Sequence, residues 1–327
     1  MNIPDFVKKR EDSNQGFDLY FAGAVNKHLE CWFDRTQALK LFTQVTDKKA
    51  IKIHIDKCPN NKIFLDSGAW AAHSRGVSLD VDGYINYANS ISDYVNAIAQ
   101  VDHIPGVYRQ VKTREQLLEA PKLSWENYLY MKDKMKDRDK LLPIFHQGED
   151  FKYLYQILNY KHSDGNYIDY IGISPANDSS VTDKINFMDK CFNIILSSDN
   201  YIVKTHAFGM TSLYLLEQYP FYSADSAGWV KKAAYGFVYI PMPNYKRGEM
   251  SYKLIGFGTR VNAPDHYINQ DKYTQNYIQH YLKSIETSVE QLYTDGNCRC
   301  LANCKYLYNW AKEYKYSGKL FNSYRLL

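Results

Sequence analysis

YIDYIGISPANDSSVTDKINFMDKCFNIILSSDNYIVKTH, residues Tyr167 to His206, decides the fold. Tyr167–Ile173 is short and rich in isoleucine and tyrosine, and Tyr201–His206 resembles it. Between them, Val181–Leu196 mixes charged and apolar residues as a helix does. Strands this apolar are expected to be buried on both faces, as in a parallel sheet.

The alternation continues in both directions. Further strands are expected at Asp18–Ala24, Lys62–Asp66, Asn96–Asp102, Leu141–His146, Phe221–Asp225 and Gly236–Ile240. Helical patterns occupy Ser92–Ala97, Arg114–Lys134, Phe151–Lys161 and Ser212–Gln218. Eight strands alternating with helices predict an α/β chain of the (β/α)8 TIM-barrel type; seven would predict an open doubly wound sheet. The expected division is a catalytic barrel over 1–244 and a C-terminal extension over 245–327 packed on it. That extension holds a helical stretch, Lys272–Tyr293, then a Gly–Asn turn and a cysteine cluster.

Composition sets outer bounds. The 327 residues are 45% hydrophobic and 23% charged, enough to bury a full core. The net charge of +4 permits a nucleic-acid partner without demanding one. No apolar run approaches the roughly 20 residues that span a membrane, so no membrane partner is expected. The opening MNIPDFVKKREDSNQG has no signal-like apolar stretch, so an unprocessed, cytoplasmic protein is expected. Cys31, Cys58 and Cys191 are scattered, whereas Cys298, Cys300 and Cys304 cluster. That spacing is unlike a disulfide framework and fits a reducing compartment.

Polar and Gly-rich clusters follow the strand ends: Asp66-Ser67-Gly68, Asp102-His103, His146-Gln147-Gly148-Glu149, Gly172-Ile173-Ser174-Pro175, His206-Ala207-Phe208-Gly209 and Asp225-Ser226. In a barrel such residues converge on one mouth, where the chemistry sits. Singly, each has a plainer reading. Asp66 and Asp225 suit helix N-caps, Asp102 a structural strand end, His146 and Gln147 buried backbone partners, and Gly172 a tight turn.

The ordered series FLDSGAW, QVDHIPG, PIFHQGED, YIGISP, THAFGMTS and YSADSAGW resembles the queuine-type guanine transglycosylase family. The tRNA enzymes of that family carry D-S-G-G-F, V-Q-G-G, G-L-A-V-G, M-G-V-G and F-D-C-V at the matching places. The HQGE, YIGISP and DSAGW variants look closer to the phage-type branch, which inserts 7-deazaguanines into DNA. The resemblance covers roughly Ile63 to Lys232. It implies that Asp225 is the nucleophile and Asp66 the general acid/base. It further implies that Asp102 and Gln147 bind the guanine edge, that Ser67 and Gly172 contribute to the base site, and that Phe208, Gly209 and Met210 line it. Lys231 and Lys232 match basic residues near the phosphates, more loosely.

The chemistry is coherent with those residue types. Breaking and remaking an N-glycosidic bond at one carbon needs an ionised carboxylate and a second group that moves a proton. An Asp accepts from the N1–H and N2 donors of guanine, and a Gln amide meets its O6 or N7. A duplex hides the target carbon, so the nucleotide must be unstacked. Tyr84, Trp70, Phe208 and Trp229 are candidates to stack on bases and equally candidates for the core. DNA is the expected polymer, with tRNA as the alternative, since both present the same base and sugar carbon. A sugar hydrolase using Asp66 and Asp225 would leave Gln147 and Gly172 unexplained, and a non-catalytic binder would leave Asp225 unexplained.

Cys298, Cys300 and Cys304 suit a structural zinc site. The resembling family has a C-x-C-x-x-C run and a downstream histidine here. This chain has one residue more in the second gap and no histidine after Cys304, which leaves His280 and His266 upstream as candidate fourth ligands.

Overall fold

The structure, a computed structural model, describes residues 4–12, 16–22, 39–42, 62–210, 212–244 and 249–318, with positions 56 and 59. Nine short strands form one sheet: β1 Asp18–Ala22, β2 Leu39–Phe42, β3 Phe64–Asp66, β4 Ala97–Ala99, β5 Leu141–Leu142, β6 Ile144–His146, β7 Tyr170–Ser174, β8 Lys204–Ala207 and β9 Ser223–Ser226. Their order is β5-β4-β3-β2-β1-β9-β8-β7-β6, and every pairing is parallel. The fold is therefore α/β with a parallel sheet flanked by helices.

The two ends of that order, β5 and β6, are neighbours in sequence with only Pro143 between them. Proline has no N–H to give to a ladder. The stretch still bonds on both sides. Leu142 accepts from the Gln100 N–H beyond β4 (3.1 Å), and the Pro143 carbonyl accepts from Gly172 of β7 (2.8 Å).

Side chains alternate between the faces of the sheet. Tyr20, Phe64, Ala97, Ala99, Leu142 and Ile144 share one buried cluster with Phe208. The opposite face, with Leu19, Phe21, Leu65, Ile98, Phe145, Ile171 and Ile173, meets helix residues such as Tyr128, Met131, Leu154 and Phe192. Burial on both faces explains why the strands read as continuous apolar runs.

Helices begin where a short polar side chain caps them. Thr113 and Gln116 form a capping box before Arg114–Lys134, Asp80 caps Val81–Ile91, and Ser180 caps Val181–Ser197. The expected helix Ser92–Ala97 is instead a 3-10 turn, Ser92–Tyr94, leading into β4.

One strand expectation needs correction. Gly236–Ile240 is extended but lies outside the parallel sheet. It belongs to β10, Phe237–Asn244, which pairs antiparallel with β11, Glu249–Gly256. Its place in the sheet is taken by β2, which was not expected. The hairpin has its own core: Val238, Ile240, Ile255 and Phe257 pack with Ile278, Leu282 and Leu292 of the following helices.

The expected helix Lys272–Tyr293 is two helices, Lys272–Ser284 and Val289–Thr294. The expected Gly–Asn turn opens a third, Gly296–Lys312, capped by Asp295. That helix is tied to the hairpin, to the helix after β9 and to the residue before β1. Asn303 is buried, donates to the carbonyls of Trp229 and Phe237, and accepts from the Tyr239 N–H at 2.9 Å. At its far end the Phe17 N–H donates to the Ala311 carbonyl at 2.7 Å. No helix among the described residues is long and apolar enough to cross a membrane.

Candidate functional site

Because the sheet is parallel, all its C-terminal strand ends share one edge, and the two candidate carboxylates lie there. Asp66 ends β3 and Asp225 sits in β9. Neither is the N-cap residue of the helix that follows. The N-cap positions are Gly68 and Ala227, and neither makes a side-chain cap bond. The serine after each aspartate takes the local role. Ser67 Oγ accepts from the Ala69 N–H at 3.3 Å, and Ser226 Oγ from the Gly228 N–H at 2.9 Å. The two segments, Asp66-Ser67-Gly68-Ala69-Trp70 and Asp225-Ser226-Ala227-Gly228-Trp229, share the pattern Asp-Ser-x-x-Trp. That repeat is visible in the sequence and is absent from the sequence-based expectations.

Asp225 is 2% exposed. Its Oδ1 accepts from the Gly209 N–H at 3.0 Å and faces His206 Nε2 at 3.2 Å. Gly209 adopts φ +62, a conformation natural to glycine, and this turns its N–H onto the carboxylate. His206 is fully buried, and its Nδ1 lies 2.6 Å from Ser223 Oγ, which also contacts the Tyr170 hydroxyl. An ionised carboxylate only accepts, so Nε2 carries the proton toward Asp225. With a neutral ring, Nδ1 then accepts from Ser223, and Ser223 accepts from Tyr170. The line Tyr170, Ser223, His206, Asp225 thus runs in one donor direction. Only its last member was singled out as a catalytic candidate from sequence. His206 read as one more polar residue at a strand end, and Tyr170 and Ser223 join it from other strands.

A second cluster lies at the ends of β4 and β6. Asp102 Oδ2 is 3.3 Å from His146 Nε2, and Glu149 Oε1 is 3.1 Å from His146 Nδ1. Gln100 Nε2 donates to the other oxygen of Asp102 at 2.8 Å. Burial opposes the charged imidazole, but the charge and hydrogen bond of Asp102 and those of Glu149 prevail, so His146 stays protonated well above its ordinary range. Beneath this cluster Tyr84 bonds the Ala99 carbonyl at 2.8 Å, strapping β4 from below. Burial first, then the charges of Asp66 and Asp102, push the Tyr84 phenol well up.

Gln147 turns its amide elsewhere. Its Oε1 accepts from the Ala176 N–H at 2.9 Å and from Ser179 Oγ at 3.2 Å, tying down the loop after β7. At Gly172 a Cβ would stand 2.4 Å from Cε2 of Phe208, so the Phe208 ring occupies the side-chain space of that residue. Met210 is buried beside this segment. Of the four aromatic candidates, Tyr84 and Trp229 are core residues, and Trp229 Nε1 donates to the Ala22 carbonyl. Phe208 is buried in the sheet-face cluster, whereas Trp70 is 57% exposed. On the helix after β9, Lys231 is exposed and Lys232 half-buried.

The three clustered cysteines are free thiols on helix Gly296–Lys312. Cys300 and Cys304 share one buried face, where burial pushes both thiols up, while Cys298 lies on another face beside Asp295 at 3.4 Å. Among the described residues no group of three His, Cys, Asp or Glu is arranged to hold a metal ion. Both ring nitrogens of His266 are engaged, by the Gly258 carbonyl and the Ile268 N–H. His280 is exposed.

No protein-family model matches the chain, and no curated protein matches it at a significant level.

Proposed function

We propose that this chain is a guanine transglycosylase that exchanges guanine in DNA for a 7-deazaguanine base. One observation carries the reading. Two aspartates stand on the C-terminal edge of a parallel sheet, each just before the N-cap of the helix that follows, and one of them is held by a backbone N–H and a buried imidazole.

In this reading a carboxylate oxygen of Asp225 attacks the sugar C1′ as the bond to guanine N9 breaks. The departing base takes a proton from Asp66. The incoming base then returns its N9 proton to Asp66 and attacks C1′, which releases Asp225. Two inversions restore the configuration. The N–H of Gly209 and the line of donors ending at His206 favour the ionised Asp225 that attack requires. Asp102, flanked by the His146 imidazolium, would receive the donor edge of guanine.

The same proposal closes the sheet. Leu141–His146 acts as a single strand broken at Pro143, which makes eight strands in a (β/α)8 barrel. Bonds from that stretch to both β4 and β7 support this, as does the single cluster joining side chains of β1, β3, β4, β5 and β6. The preference for DNA rests on the motif variants at HQGE, YIGISP and DSAGW.

The test is exchange of labelled guanine into matched DNA and tRNA run side by side, with Asp225→Asn and Asp66→Asn as controls. Exchange into DNA that both variants abolish supports the reading. Exchange into tRNA alone assigns the polymer to tRNA, and exchange that survives Asp225→Asn rejects the nucleophile.

A further inference from the structure

The helix Ala69–Ser74 starts three residues after Asp66, and the segment from His103 to Lys112 follows Asp102. Both therefore stand on the edge of the sheet that carries the candidate site. Three rings meet there. Trp70 and Tyr108 lie 5.9 Å apart edge to face, and His73 is 6.2 Å from each. The Arg109 guanidinium sits 5.2 Å from the centre of the Tyr108 ring.

Two physical features set this patch apart. The first is exposed aromatic and apolar area. Trp70 is 57% exposed, with Val107 at 55% and Val111 at 99%. An indole is usually well buried, and a contiguous exposed apolar patch marks a contact surface. The second is unpaired positive charge. Neither Arg109 nor Lys112 has a carboxylate within ion-pair distance among the described residues. Lys112 and His103 stand close enough to His73 to add, after burial, to the lowering of its pKa. Arg109 itself adopts φ +63, uncommon for a residue with a side chain, and in that conformation its guanidinium rests on Tyr108.

We infer that this patch docks an unpaired nucleic-acid strand, with bases stacking on Tyr108 and its neighbouring rings and phosphates meeting Arg109 and Lys112. The inference deepens the proposed reaction: it puts the strand flanking the reactive nucleotide on this surface. Charge and ring chemistry together select the partner. An acidic peptide would use the cations and leave the rings uncovered, whereas a single strand offers alternating phosphates and flat apolar faces to both.

The experiment measures polarisation of a fluorescein-labelled oligothymidylate of roughly 16 nucleotides, a length an extended groove accommodates. The intact chain is compared with Tyr108→Ala, and with Arg109→Ala combined with Lys112→Ala. Circular dichroism melts confirm that each variant is folded. Quenching of Trp70 fluorescence, identified by its loss in Trp70→Phe, provides a second readout. The expected result is affinity roughly tenfold weaker for Tyr108→Ala. In the double variant the slope of log affinity against log salt falls by about 1.4, for two phosphate contacts. Unchanged affinity and slope in folded variants overturn the inference. So does a duplex of equal length that binds as tightly and loses as much on Tyr108→Ala. So does polyglutamate that competes as well as the oligonucleotide. Oligothymidylate contains no guanine, so this readout stands or falls separately from base exchange.

Discussion

Replacing Gly172 by alanine tests the packing at the centre of the candidate site. The added methyl would stand 2.4 Å from Phe208 Cε2, 2.9 Å from Cδ2 and 3.0 Å from Ile144 Cγ1. Carbon atoms pack comfortably at about 3.5–4.0 Å, so the ring must retreat by roughly 1 Å or more. Retreat is obstructed, because Phe208 stands edge-on to Phe64 at 5.6 Å and to His206 at 4.6 Å. Overpacking of this kind costs about 1–3 kcal/mol, and with both directions closed about 2 kcal/mol is expected. Phe208→Ala alone should cost about 3 kcal/mol through the cavity it leaves. In the double variant the alanine methyl enters that cavity, so the two losses should fall short of their sum by about 1–2 kcal/mol. The assay is urea denaturation of the four proteins followed by circular dichroism at constant m. A loss below about 0.5 kcal/mol for Gly172→Ala, or strict additivity in the double variant, would refute the claim that Phe208 fills the space of Gly172.

Three further outcomes are expected. His146 should titrate by NMR well above the ordinary value of about 6.5. Because its folded pKa is raised, its stabilising contribution is full below about 6.5 and is lost as pH rises through the folded value. The stability gap between the intact chain and His146→Gln should therefore be constant in acid and shrink in base, and a gap that widens with pH contradicts the pairing with Asp102 and Glu149. Asn303→Leu should lose about 3 kcal/mol in the same denaturation assay, since it strands three buried backbone groups, and a loss under about 1 kcal/mol excludes that role. The resemblance also implies zinc on Cys298, Cys300 and Cys304. About one zinc per purified chain, lost in Cys300→Ser, supports that implication against the placing of Cys298 on a different helix face from Cys300 and Cys304, while folded and metal-free protein removes it.

Much of the architecture is legible locally. Arg114–Lys134 matches the helix expected from its mixed charged and apolar spacing, and the structure adds the Thr113–Gln116 capping box at its start. The α/β class follows from apolar strands spaced by amphipathic helices. What local reading misses is partnership. Leu39–Phe42 is four residues long and carries no strand signature of its own, so only the pairing with β1 and β3 gives it a place. Phe237–Ile240 is as apolar as any core strand, yet it pairs with Glu249–Gly256, because pairing is decided by what lies opposite. The site divides in the same way. Asp66, Asp102 and Asp225 stand out as carboxylates at strand ends. The role of His206 depends on Ser223 and Tyr170, which come from different strands, and no spacing in the sequence encodes that meeting.

The clasp between Phe17 and Ala311 bears on how the molecule comes into being. Strand β1 is synthesised well before its partner β9, which begins at Ser223, and before the helix that closes over its start, which ends at Lys312. Translation at ordinary rates puts roughly 15–60 s between the making of those ends. Until β9 is made, the apolar stretch Leu19–Ala22 has an unfilled side, which gives chaperones a defined client and makes the arrival of distant chain, more than any local step, what closes this part of the sheet.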